Sequence, residues 1–407
     1  MHHEWTLRCS MRWDLGNGCT CGNRFPIFSK WAKLAALEAR EHKLDVTFAY
    51  QGVGSTEGQL RLAKGDVSFA VIDSGVFPER LQELRDAWLV PVLAGAVAVG
   101  FNVPDLEFLL LSREQLALIF LGRIQQWSEL AHSNPSLKDK HERISLVLQE
   151  RPDQSGTTKA FTRALSSFSS EWRGKMGASS RPKWPTKIER NRTATATTAK
   201  QPNGFPDVAF QILGNPYSLG FLPQMDAMSH KVRMANISNH AGEFLAPSQR
   251  SVQAAVNAAE AALVVSMQKK SQQIFDLDIV DPKMPSSEMP SSERELLSPE
   301  ALHAYPISVL TFVLFDPAKL NCRQLGDVIY QIYWAWTSAR AASVAIDQGA
   351  YPIAMSGGSG LRDIVLIPAL TKLTCQGQTV LGDVLRKVTQ CDPGANRPAP
   401  HRHWRRA

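Results

Sequence analysis

The chain has 407 residues, 44% of them hydrophobic and 20% charged, with a net charge of +7. That length and balance exclude a small disulfide-stapled scaffold or a disordered chain, and give about two to three domain-sized units with substantial cores. The basic residues are spread along the chain apart from the end His401-Arg402-His403-Trp404-Arg405-Arg406, with no Arg/Lys stripe interleaved with aromatics, so nucleic acid is set aside and a membrane surface or a small anion remains.

Met1 to Cys21 holds no continuous apolar stretch of the kind a secretory signal needs, and it is expected to be irregular. Phe28 to Glu41 reads as a helix, Leu44 to Tyr50 as a strand, Gly52 to Thr56 as a glycine-rich turn, Gly58 to Lys64 as a short helix and Val67 to Ile72 as a buried strand. Strand–turn–helix–strand is the rhythm of an α/β sheet. Leu89 to Phe101 is a long apolar strand. The longest apolar run, Val90 to Val103, is interrupted by Pro91 and is too short to cross a bilayer. Arg113 to Leu121 reads as a helix closed by Gly122, Ile144 to Gln149 as a strand, Arg151 to Gly156 as a polar loop and Thr157 to Leu165 as a helix. Phe205 to Leu213 and Ser251 to Met267 are helices, with a short strand at Ser218 to Leu222 between them. Lys269 to Glu300 contains a tandem repeat, Met284 to Glu288 followed by Met289 to Glu293, and its Pro/Ser density marks a surface insertion. Tyr305 to Phe315 returns to a strand pattern, and Gln324 to Ala345 is one long helix.

The six cysteines include a lone Cys19-Thr20-Cys21 with no second pair, so no metal site is expected. Cys375 and Cys391 are placed to form a disulfide in an oxidising compartment; six free thiols is the alternative.

Three segments have the chemistry of an oxyanion site. Arg151 to Thr158 lies between a strand and a helix. Ser155 and Thr157 carry hydroxyl donors, Gly156 admits close approach, Arg151 has a planar fork, and the helix start supplies unpaired N–H groups. The plain alternative is an ordinary helix capped by Ser155. Gly52 to Thr56 repeats the pattern with Gly54 and Ser55. Asp73 follows a buried strand. A carboxylate beside an anion suits only an anion that carries a proton, as phosphate does and sulfate does not at neutral pH; the alternative is a turn cap.

The order Tyr50-Gln51-Gly52-Val53-Gly54-Ser55, then Phe69 to Asp73, Leu121 to Trp127, Arg151-x-Asp153-x-Ser155-Gly156-Thr157, Lys183-Trp184-Pro185 and Tyr305-Pro306-Ile307 through Thr311-Phe312 resembles the phosphate-binding subunit of bacterial phosphate ABC transporters, over roughly Gly22 to Val388. The resemblance implies an α/β, two-lobed type-II periplasmic-binding fold whose crossing strands fall near Leu89–Phe101 and Tyr305–Phe315. It assigns residues 22–93 and 307–390 to one lobe and 94–306 to the other, with the insertion at about 276–300 and irregular ends at 1–21 and 391–407. It implies that Ser55, Asp73, Arg151, Ser155, Gly156 and Thr157 contact inorganic phosphate, that Asp153 holds the Arg151 fork, and that no cofactor is needed. A membrane transporter or receptor is the implied partner of a monomer that works in the periplasm or outside the cell.

Gly22-Asn23-Arg24-Phe25-Pro26 departs from the family's first loop, which carries a small or hydroxylated residue where Arg24 stands; Arg24 either adds a donor or blocks the pocket. No leading strand is evident before this loop, and Gln154 replaces a family glycine. Two other functions compete. A degenerate fold used as an interaction domain would have Arg24 filling the pocket. A phosphoester hydrolase would need a carboxylate/His cluster or a base beside Ser155, and the histidines are scattered.

Overall fold

The computed structural model of the chain describes residues 18–22, 26–42, 44, 46, 48–73, 75–148, 155–185, 208–269, 302–353 and 366–391. The tandem repeat, Cys19's neighbours before residue 18 and the basic end lie outside them. In chain order the elements begin with β1 (Gly18–Gly22), α1 (Pro26–Glu41), β2 (Phe48–Gly52), α2 (Ser55–Lys64), β3 (Phe69–Ile72) and β4 (Trp88–Asn102). Next come β5 (Leu110–Leu111), α3 (Arg113–Phe120), β6 (Ser145–Val147), α4 (Gly156–Phe168), α5 (Ser170–Lys175), α6 (Val208–Gly214) and β7 (Ser218–Pro223). They continue with α7 (Gln224–Ser229), β8 (Arg233–Met234), β9 (Asn236–Ser238), β10 (Phe244–Leu245), α8 (Gln249–Lys269) and β11 (Ser308–Phe315). The return comprises α9 (Cys322–Thr337), α10 (Ala339–Asp347), β12 (Tyr351–Pro352), α11 (Ile367–Thr371), β13 (Thr374–Cys375), β14 (Gln378–Thr379) and α12 (Val380–Cys391).

Three expectations are corrected. Residues 18–21, expected to be irregular, belong with Gly22 to β1, the missing leading strand; it lies between β2 and β3 and is parallel to both, with Thr20 opposite Tyr50 and Phe69. Its short segment has little strand signal of its own and is held by ladders on two edges. The long helix expected over Gln324–Ala345 is two. Ser338 takes extended backbone (φ −78°, ψ 127°), its side chain accepts from the Arg340 N–H, and its hydroxyl donates to Glu38 Oε2 at 3.1 Å. That cap starts α10 afresh. The cysteine pairing also differs: Cys375 bonds Cys322, not Cys391, because the first turn of α9 comes to a Cα–Cα distance of 5.6 Å.

Among the described residues one nine-stranded sheet runs β2-β1-β3-β11-β4-β7-β6, with β12 and β8 also paired to β4. β4 carries both halves. Its first part, Trp88 to Ala96, pairs β11, and its last part, Val97 to Asn102, pairs β7. Because β11 is antiparallel to both β3 and β4, β3 runs with β4. Because β7 is antiparallel to β4 and parallel to β6, β6 runs against it. Ile72 aligns through Phe312 with Pro91, and Val147 through Gly220 with Gly100. The carboxyl ends of β3 and β6 therefore aim at each other along β4, across roughly 30 Å of strand.

A continuous core spans both halves. In the first, Trp31 donates from Nε1 to Ala341 O at 3.0 Å and meets Trp334 edge-on, while Trp336 donates to Pro91 O at 3.1 Å. In the second, Phe161 stacks on Phe221 at 4.1 Å between ring centres, with Phe120 against both. A smaller cluster around Ala98, Val147, Ile212 and Val232 packs α6 on this half. Between the halves the fully buried Tyr305 donates to Val97 O at 3.1 Å; burial holds its phenol far above its usual range, so it stays a neutral donor.

Candidate functional site

The first strand end is built on α2. Gly54 caps it at φ 93°, a conformation that strains any residue with a Cβ and so explains the glycine before Ser55. Ser55 opens the helix, is buried, and its Oγ accepts from the Asp73 N–H at 3.4 Å. One turn later Gln59, 0% exposed, accepts on Oε1 from the Phe77 N–H at 3.0 Å. Two residues on one face of α2 thus grip the stretch that follows β3. Asp73 is also buried, and Thr311 of β11 donates from Oγ1 to its Oδ1 at 2.9 Å.

The second strand end is built on α4. Ser155 is its N-cap and accepts on Oγ from the Thr158 N–H at 3.2 Å. Gly156 and Thr158 are buried, and Ser155 and Thr157 half-buried. The helix start is pinned from behind. Thr162 donates from Oγ1 to Ser179 O at 2.8 Å and accepts from the Ser179 N–H at the same distance, while the Ser155 N–H donates to Ser180 O at 3.2 Å. Lys159, one turn into α4, reaches the first end: its Nζ lies 5.8 Å from the centre of the Phe77 ring.

The chemistry of the two ends is alike. Each serine oxygen already accepts a backbone N–H, which leaves its hydroxyl hydrogen to be donated outward. Each helix start adds main-chain donors and the positive end of a dipole. Asp73 adds a carboxylate acceptor to these donors. Such a set suits an oxyanion that itself carries a hydrogen.

The structure brings Ser55 and Asp73 together on one end and sets Ser155, Gly156 and Thr157 on the end that faces it. Arg151, Asp153, Arg24 and Phe25 lie outside the described residues. Among the described residues no group of three or more His, Cys, Asp or Glu side chains is arranged to hold a metal. No helix among them is long and apolar enough to cross a membrane. Sequence reading missed Gln59 and Lys159, although each stands four residues after its serine, on the same helical face. It placed Thr311 within a family motif but assigned it no contact with Asp73, 238 positions away.

Residues 23–318 match the PBP superfamily domain. The chain is 31% identical over 254 residues to the phosphate-binding protein PstS of Methanocaldococcus jannaschii, covering 60% of this chain and 62% of that protein. It is 27% identical over 327 residues to the PstS of Haemophilus influenzae, covering 79% and 84%. The chain thus spans under two thirds of the first of these relatives. Its structure resembles that of a human phosphate-binding apolipoprotein with a TM-score of 0.58 at 18% identity, over 90% of this chain and 99% of that one, a likeness of fold.

Proposed function

We propose that this chain, which belongs to the PBP superfamily and has its two-lobed α/β fold, binds inorganic phosphate between its lobes for uptake or sensing. Residues 22–93 and 307–390 would form one lobe and 94–306 the other. The observation that carries the reading is a buried carboxylate, Asp73, set among the hydroxyl and main-chain donors of a helix start. Donors alone would suit any oxyanion. The carboxylate repels one that is fully ionised and accepts the hydrogen of one that is not, and phosphate near neutral pH keeps at least one proton. The PstS relatives, phosphate-binding proteins, point the same way.

On this reading Ser55 and Asp73 hold the anion from one side and Ser155, Gly156 and Thr157 from the other. Arg151 supplies a two-pronged charged contact oriented by Asp153, and Gly54, Arg24 and Phe25 support the pocket rim. A ligand that touches both lobes only when they meet favours the closed form. Binding without turnover fits Ser155, whose Oγ caps its own helix. The Cys322–Cys375 disulfide supports work outside a reducing cytoplasm, where the loaded monomer would pass phosphate to a membrane transporter.

Calorimetric titration with phosphate, arsenate and sulfate tests the reading. Phosphate and arsenate are expected to bind, with sulfate at least about a hundredfold weaker, the cost of facing like charges in a closed site. Equal affinity for sulfate, or no heat with phosphate, overturns it.

A further inference from the structure

We propose that Thr311 is a positioning residue for ligand selectivity, acting through Asp73. The proposal rests on the phosphate reading. Ser55 Oγ holds the main-chain N–H of Asp73, and Thr311 Oγ1 holds its carboxylate at 2.9 Å. Both Asp73 and Thr311 are buried, at 8% and 3% exposure. A buried hydroxyl needs a partner, and a donor aimed at a carboxylate stabilises its ionised, acceptor-only form and restrains the plane of its oxygens. An ionised, fixed carboxylate is what separates an anion with a hydrogen from one without.

The backbone around Thr311 has a matching irregularity. β11 pairs Thr311 with Leu93 but Phe312 with Pro91, so Val92 is an extra residue on β4. Pro91 has no N–H for a ladder bond, and bulges of this kind re-aim the side chains beside them. β11 also pairs β3 directly, with Phe312 opposite Ile72, the residue before Asp73. β11, paired to both β3 and the first part of β4, thus delivers a hydroxyl to the carboxyl end of β3 from 238 positions away in sequence.

The test uses the full chain with Thr311→Val, which keeps shape and removes the donor, and Thr311→Ser, which keeps the donor. Inorganic phosphate and sulfate are titrated calorimetrically, and thermal unfolding is followed without ligand. Thr311→Val is expected to lose about tenfold to a hundredfold in phosphate affinity and to narrow the phosphate-to-sulfate ratio, with Thr311→Ser restoring both. Should Thr311→Val fail to fold, Thr311→Cys, with its weak donor, is expected to fall between serine and valine. A donor-free variant that keeps the wild-type ratio, or a serine variant that does not recover it, overturns the role of Thr311 while leaving phosphate binding intact. Wild-type protein that takes up neither anion removes the phosphate reading, and this proposal with it.

Discussion

The two ends of the site are held in different ways. Around Asp73 one tie is long: Ser55 and Gln59 reach across 18 positions, but Thr311 reaches across 238. Around Ser155 the ties are short: the cap spans three positions, and the Thr162 clamp on Ser179 spans 17. The first end therefore depends on the assembled sheet, while the second is close to a self-contained capped helix with a loop strapped to it. Changes in the chain's return should disturb the first end and spare the second.

The largest expected effect sharpens that contrast. Cys322 and Cys375 close 53 positions of the return around α9, which packs on the first half through Trp334 and Trp336. Reduction, or paired Cys→Ser substitution, is expected to cost about 4 kcal/mol by loop-closure entropy, read as a lower urea midpoint. Protection of α4 amides in hydrogen exchange should change less than that of β3 and β11; equal loss in both halves would erase the distinction.

Next comes Arg151→Ala, which removes the charged fork expected at the second end. Phosphate affinity should fall at least about a hundredfold by calorimetry, with thermal stability without ligand nearly unchanged. An unaltered affinity would mean that the helix start of α4 holds the anion without it.

Asp73→Asn acts at the first end. It should narrow the phosphate-to-sulfate ratio by at least about tenfold, because the amide no longer repels a fully ionised ligand. A constant ratio would reduce Asp73 to the turn cap that its position also allows.

The smallest effect joins the ends. Lys159→Met keeps the stem of the side chain and removes the charge over Phe77. Losing a half-exposed cation–π contact is worth about 0.5–1 kcal/mol, so phosphate should bind roughly twofold to fivefold more weakly. Small-angle scattering of the ligand-free protein should show a slightly more open molecule; an identical profile and affinity would leave Lys159 as surface packing.

Composition, periodicity and ordered motifs determined the α/β class, the long strand at the chain's centre, the helix start at Ser155 and the candidate pair Ser55 and Asp73. Those features are local: a cap, a glycine at positive φ and a run of apolar residues each act within a few positions of the chain. The tertiary structure decided the rest. β1 exists because two parallel neighbours pair with it, and α9 and α10 separate because Glu38 of α1 receives the Ser338 hydroxyl. Cys375 meets Cys322 rather than Cys391 because α9 brings it within bonding reach. Thr311 meets Asp73 only because β11 lies between β3 and β4, a contact between residues 238 positions apart that no periodicity encodes and that forms only when the sheet closes around it.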